Sequence, residues 1–117
     1  MSQPKRVLVV EDQDDSREIL SRLLRKRGCE VKAFAHANDN LDAMAVFDPN
    51  VALVDVRMPG RSGDELAPDL LERCPGTRII FLTGEAKMDN LKAAVPSCLV
   101  LQKPVDFAVL SQLLDCL

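Results

Sequence analysis

The stretch VALVDVRMPG, Val51 to Gly60, sets a carboxylate, Asp55, directly after four apolar residues and directly before a loop carrying Pro59 and Gly60. Val51–Val54 is short and apolar at every position, which reads as a strand buried on both faces and not as one half-exposed to water. A strand covered on both sides belongs to a parallel sheet with helices above and below it. Taken alone, the aspartate at its end is equally well a turn residue that hydrogen-bonds the loop after it. The rest of the chain has to decide.

Working outward, Val7–Val10 is a second aliphatic run of the same kind. After it, Asp14–Arg27 carries Ile19, Leu20, Leu23 and Leu24 on one helical stripe. Asp14, Asp15 and Glu18 come early, RKR late, and Gly28 is the stop, a helix charged as its dipole prefers. The alternation continues along the chain. Glu30–Ala35, Arg78–Thr83 and Cys98–Gln102 read as strands, and Asn38–Phe47, Asp64–Arg73, Lys87–Val95 and Asp106–Leu117 as helices. Strand then helix, five times over, implies a parallel sheet with right-handed crossovers and helices on both faces, a three-layer α/β sandwich. Pro68 is predicted to kink the third helix and Pro96 to end the fourth early.

Length and composition fit one such unit. The 117 residues, 47% of them hydrophobic, support one core, and no linker or low-complexity tract marks a second module, so a single domain over residues 1–117 with no output domain is expected. A net charge of −3 and a pI near 5.1 argue against nucleic acid as a direct partner. Cys29, Cys74, Cys98 and Cys116 are widely spaced, with no C-x-x-C pair and no His cluster, which suits reduced thiols and not a zinc or redox site. The apolar run after MSQPKR is too short for a signal peptide or a membrane span, so a cytoplasmic protein with no membrane partner is expected.

In a parallel sheet the residues after each strand collect along one edge, where ligands bind in such folds. Those positions hold Glu11 and Asp12 after the first strand, Asp55 after the third, Thr83 ending the fourth, and Lys103-Pro104 after the fifth. Each has a plain structural reading: a helix cap for the acid pair, a turn aspartate, a strand threonine, a solvated lysine. Their arrival at one edge favours a site. Carboxylates held together share a proton or hold a cation, and an all-oxygen set without His or thiolate points to a hard ion such as Mg²⁺. A metal, an ammonium, a hydroxyl and a carboxylate are what phosphoryl transfer requires.

The pieces VVEDQ, LVDVRMPGRSGDEL, IIFLTGE and LQKP, in this order and over essentially the whole chain, resemble the receiver domain of bacterial two-component response regulators. The resemblance implies a doubly wound, flavodoxin-like sheet of strand order 2-1-3-4-5. It implies that Asp55 is the phosphoacceptor, taking its phosphoryl group from a histidine kinase or phosphotransfer protein, in a domain that promotes its own phosphorylation and dephosphorylation. Asp12 and Asp55 would ligate Mg²⁺, Glu11 would support the metal through water, and the Arg57 backbone carbonyl would add a ligand. Lys103 would contact the phosphoryl group, Thr83 would hydrogen-bond it, Gly84 would leave room for it, and Lys103-Pro104 would be a cis peptide. Arg57 and Glu85, of opposite charge on neighbouring loops, either both point to solvent, where such pairs contribute little, or pair beside the phosphoryl group and modulate its lifetime by gating water.

Three positions depart from the family pattern. Val100 stands where a switch Phe or Tyr is usual, Val105 replaces the common Phe after Lys-Pro, and the stretch from Thr83 to Lys103 is short. Readout through an aromatic rotamer is therefore unavailable on the face that the family uses for homodimers or output partners. The RLLRKRG cluster is mainly a dipole complement, with kinase docking as its alternative. Two other functions use parts of this pattern. A haloacid-dehalogenase-like phosphotransferase needs a second Asp two residues after the nucleophile, where Arg57 stands. A flavodoxin-like small-ligand binder needs a phosphate loop where the acid pair stands.

Overall fold

A computed structural model describes residues 4–36, 41–84 and 89–117. Its elements in chain order are β1 (Arg6–Val10), α1 (Asp14–Lys26), β2 (Glu30–Phe34), α2 (Leu41–Phe47), β3 (Val51–Asp55), α3 (Gly63–Arg73), β4 (Arg78–Thr83), α4 (Asp89–Ala94), β5 (Leu99–Gln102) and α5 (Phe107–Cys116). The strands form one all-parallel sheet of order β2-β1-β3-β4-β5. This is the doubly wound (βα)5 sandwich expected from the sequence.

Period-two alternation divides the core into two layers. Leu8, Val10, Ala52, Val54, Ile79 and Phe81 face α2, α3 and α4, meeting Met44, Leu66, Leu70 and Leu91. Val7, Val9, Val51, Leu53, Ile80 and Leu82 face the other way, onto Leu20 and Leu24 of α1 and Leu110 and Leu114 of α5. The central strands have no water-facing side, which is why their sequence shows continuous apolar runs.

Local differences have local causes. Helix α3 runs from Gly63 to Arg73 through Pro68. The donor that Pro68 lacks would have met the Asp64 carbonyl in the first turn, on a half-buried side, while Leu66, Ala67 and Leu70 carry the packing. Strand β3 includes Asp55 itself, so the carboxylate sits on the last residue of a buried strand and not beyond it. Helix α4 is short; the Asn38 start of α2 and the Lys87 start of α4 lie outside the described residues. Helix α5 begins at Phe107 because Asp106 caps it, its Oδ1 accepting from the N–H groups of Ala108 and Val109 at 2.9 and 3.4 Å.

The predicted stripe of α1 is only partly buried: Leu20 and Leu24 meet the sheet, but Ile19 is 56% exposed. The reason is angular, since a helix lying on a sheet buries a narrower arc than four consecutive stripe positions cover. Ile19 instead lines a groove beside the sheet edge.

Candidate functional site

Sheet register assembles the site. β1 and β3 pair Val10 with Val54, so one residue further on Glu11 and Asp55 stand side by side. β3 and β4 pair Asp55 with Leu82, which puts Thr83 one step beyond, and Thr83 pairs with Gln102, which delivers Lys103. Backbone bonds continue past the strand ends: Glu11 N–H donates to the Phe34 carbonyl at 3.0 Å, Val56 N–H to that of Leu82 at 3.0 Å and Lys103 N–H to that of Thr83 at 2.7 Å. The Lys103–Pro104 peptide is cis.

The side chains converge as the backbone directs. Lys103 Nζ donates to Glu11 Oε2 at 2.9 Å and Asp55 Oδ2 at 3.0 Å, with Glu11 Oε1 at 3.3 Å. Glu11 is fully buried and Asp55 only 4% exposed, so this ammonium is shared by two carboxylates that water scarcely reaches. Glu11 Oε1 also accepts from the Gln13 N–H at 3.3 Å. One carboxylate oxygen from each of Glu11, Asp12 and Asp55 lies within 4.8 Å of the other two. This all-oxygen set fits the preference of a hard divalent cation.

The electrostatics are those of a site poised for added positive charge. Burial is the largest influence on Asp55 and raises its pKa; the Lys103 hydrogen bond lowers it, Glu11 raises it again, and the balance is about 6. For Lys103, burial opposes the charge, but bonds to Glu11 and Asp55 outweigh it and hold the pKa above the ordinary lysine value.

Asp12, Asp55, Arg57, Thr83, Gly84 and Lys103 line one cleft of about 370 Å³. A side chain added at Gly84 would meet nothing within 4 Å among the described residues. The structure thus brings together Glu11, Asp12, Asp55, Thr83 and Lys103, with Arg57 and Gly84 at the rim. Glu85 lies outside the described residues, and with it the Arg57–Glu85 pair. Val100 packs half-buried against the layer of α2 to α4, and Val105 against that of α1 and α5.

The basic cluster of α1 is largely engaged within the fold. Arg22 bonds Glu18 at 2.6 Å, Arg25 donates to the Val31 carbonyl at 3.2 Å, and Arg27 pairs with Asp115 of α5. Sequence reasoning passed over the groove next to it. Ile19, Leu20 and Leu23 of α1 face Pro104, Val105 and Phe107 across a space of about 440 Å³ that opens beside Glu11 and Lys103. The only sign of it in the sequence is an isoleucine more than the helix can bury.

Known proteins share this fold. The family described as response regulator receiver domain matches residues 7–115. The DNA-binding transcriptional regulator NtrC of Proteus hauseri is 36% identical over 83 residues, covering 71% of this chain and 18% of its own length. The chain therefore spans less than a fifth of that relative. Chemotaxis protein CheY4 of Vibrio cholerae superposes with a TM-score of 0.87 at 27% identity, covering 96% of this chain and 97% of that one. Response regulator TrrA of Thermotoga maritima, solved in complex with Mg(2+)-BeF, gives 0.82 at 26% identity, covering 95% and 96%. With this fold, this edge and these matches, the chain belongs to the response regulator receiver domain family, whose function is a phosphorylation-based switch in two-component signalling.

Proposed function

We propose that residues 1–117 act as a single phospho-accepting receiver in the cytoplasm, with Asp55 as acceptor and with output supplied outside these residues. The observation that carries this is the buried Glu11–Lys103–Asp55 arrangement at the carboxyl edge of the sheet. An Asp55 carboxylate oxygen forms the O–P bond as the N–P bond of a donor phosphohistidine breaks, the electron pair staying on the imidazole nitrogen. Lys103, already 3.0 Å from Asp55, balances the charge of the arriving phosphoryl oxygens, and the Thr83 hydroxyl donates to one of them. The phosphoryl group is lost by a separate step, hydrolysis: water attacks phosphorus, the O–P bond breaks, and the Asp55 carboxylate is returned with inorganic phosphate.

Asp12, Asp55 and the Arg57 carbonyl are the residues we assign to Mg²⁺, with Glu11 behind them. That the TrrA structure is a complex with Mg(2+)-BeF supports the choice of metal, and the Glu11, Asp12 and Asp55 oxygens within 4.8 Å of one another support the choice of residues. When bound, the ion supplies the charge neutralisation that lets two anions meet. Because Asp55 must be ionised to serve as ligand and its pKa stands near 6, Mg²⁺ affinity is expected to be flat above pH 7 and to fall toward tenfold per pH unit below 6. Calorimetric titration at pH 5, 6 and 7.5 checks this, and equal affinities at 5 and 7.5 would contradict it.

Receiver domains take their phosphoryl group from histidine kinases or phosphotransfer proteins, and the groove beside α1 is where we seat such a donor. Among the described residues no helix is long and apolar enough to cross a membrane. Acetyl phosphate with Mg²⁺ is expected to add one phosphoryl group, seen by intact mass, and no gain under any metal condition would sink the assignment. Ile19→Glu is expected to slow transfer from a phosphohistidine donor tenfold or more while leaving acetyl phosphate reactivity unchanged. Equal slowing of both would remove the groove from the docking role. We further place any homodimer or output contact away from an aromatic switch, since Val100 supplies none.

A further inference from the structure

Gly63, eight residues after Asp55, is the first residue of α3 and is buried against the end of β3. A Cβ built there would stand 2.3 Å from the Asp55 carbonyl oxygen, 2.8 Å from Val54 Cγ1 and 3.0 Å from the Asp55 carbonyl carbon. Two of these obstacles are backbone atoms of a central strand, paired on both sides and unable to retreat as a flexible side chain would. Gly63 N–H also donates to the Val56 carbonyl at 2.9 Å, while Val56 N–H donates to Leu82. The loop from Arg57 to Ser62 is thus tied at both ends, and Arg57 is the first residue past the knot.

We propose that Gly63 is a positioning residue for the metal end of the site: by carrying no side chain, it lets the first turn of α3 close onto the Asp55 peptide, and that closure fixes the Arg57 carbonyl. This rests on the assignment of that carbonyl as a ligand. The role is steric and not a matter of unusual backbone angles, since the positive-φ glycines are Gly28 and Gly60. Helix propensity points the opposite way, because alanine is ordinarily the better helical residue. A loss on substitution by alanine is therefore diagnostic. Gly76 is the internal control: it lies in the turn before β4, and a Cβ there meets nothing within 4 Å among the described residues.

Titration of the 117-residue chain with MgCl₂ is expected to show G63A binding tenfold or more weaker than the unsubstituted chain, and G76A within twofold of it. G63A within twofold would overturn the inference while leaving the metal assignment intact. No binding by the unsubstituted chain would overturn the assignment itself. A G63A chain with no folded far-ultraviolet circular dichroism would overturn the inference about Gly63 and not the metal assignment, making Gly63 a requirement of the fold and not of the site. The unsubstituted chain gives a second reading by nuclear magnetic resonance. The Gly63 amide is expected to exchange slowly and to shift on Mg²⁺ addition together with Arg57; a protected but unmoved Gly63 amide beside a shifted Asp12 would contradict the coupling.

Discussion

Asp55→Asn is expected to leave the chain folded and wholly unable to acquire a phosphoryl group from acetyl phosphate. The amide keeps the size of the carboxylate and an oxygen for Lys103, but has no anionic oxygen to attack phosphorus. A second effect runs the other way. Because the pKa of Asp55 is raised in the fold, the native state favours the protonated carboxyl; that contribution is present at low pH and is lost as pH rises from about 4 through about 6. Asparagine carries no such loss. At pH 7 without metal the variant is expected to be more stable by on the order of 1–2 kcal/mol, the gain fading toward pH 4. Urea denaturation at the two pH values reads this, and a variant less stable at pH 7 would contradict the electrostatic description of the site.

Lys103→Met should produce the largest loss of stability. The ammonium is shared by Glu11 and Asp55, whose side chains are 0% and 6% exposed. Removing one partner of a buried ionic set leaves uncompensated charge, which typically costs about 3–5 kcal/mol. For a domain of this size that corresponds to a fall in melting temperature of roughly 10 °C or more. Phosphoryl acceptance is expected to slow by about 10²–10³, the usual effect of deleting one group that stabilises developing charge. Added Mg²⁺ should restore stability more in the variant than in the unsubstituted chain, because a cation at the carboxylates replaces part of the missing charge. Thermal unfolding with and without MgCl₂ checks this. Equal metal-induced shifts in both chains would mean that Lys103 and the metal do not share the same carboxylates.

Much of this was legible in the chain, for identifiable reasons. Val7–Val10 and Val51–Val54 are apolar at every position and so carry no period of their own; their shortness and β-branching marked them as strands buried on both faces, and the strand–helix alternation then put Glu11, Asp12, Asp55, Thr83 and Lys103 on one edge without any contact being known. What escaped depends on relations that no local pattern encodes. Ile19 belongs to the apolar stripe by spacing, but whether it is covered depends on how α1 leans on the sheet. Arg27 looks like a free charge until α5 brings Asp115 to it from 88 residues away. Gly63 appears to be an ordinary helix start; its constraint lies in the Asp55 peptide that it packs against.

The most direct test of the central claim is to locate the phosphoryl group itself. After acetyl phosphate and Mg²⁺, borohydride reduction converts an aspartyl phosphate to homoserine, and peptide mass spectrometry reads its position. Homoserine at position 55 alone is the expected result. Reduction at Glu11 or Asp12 instead, or at no carboxylate in a chain that has gained phosphate, would contradict it.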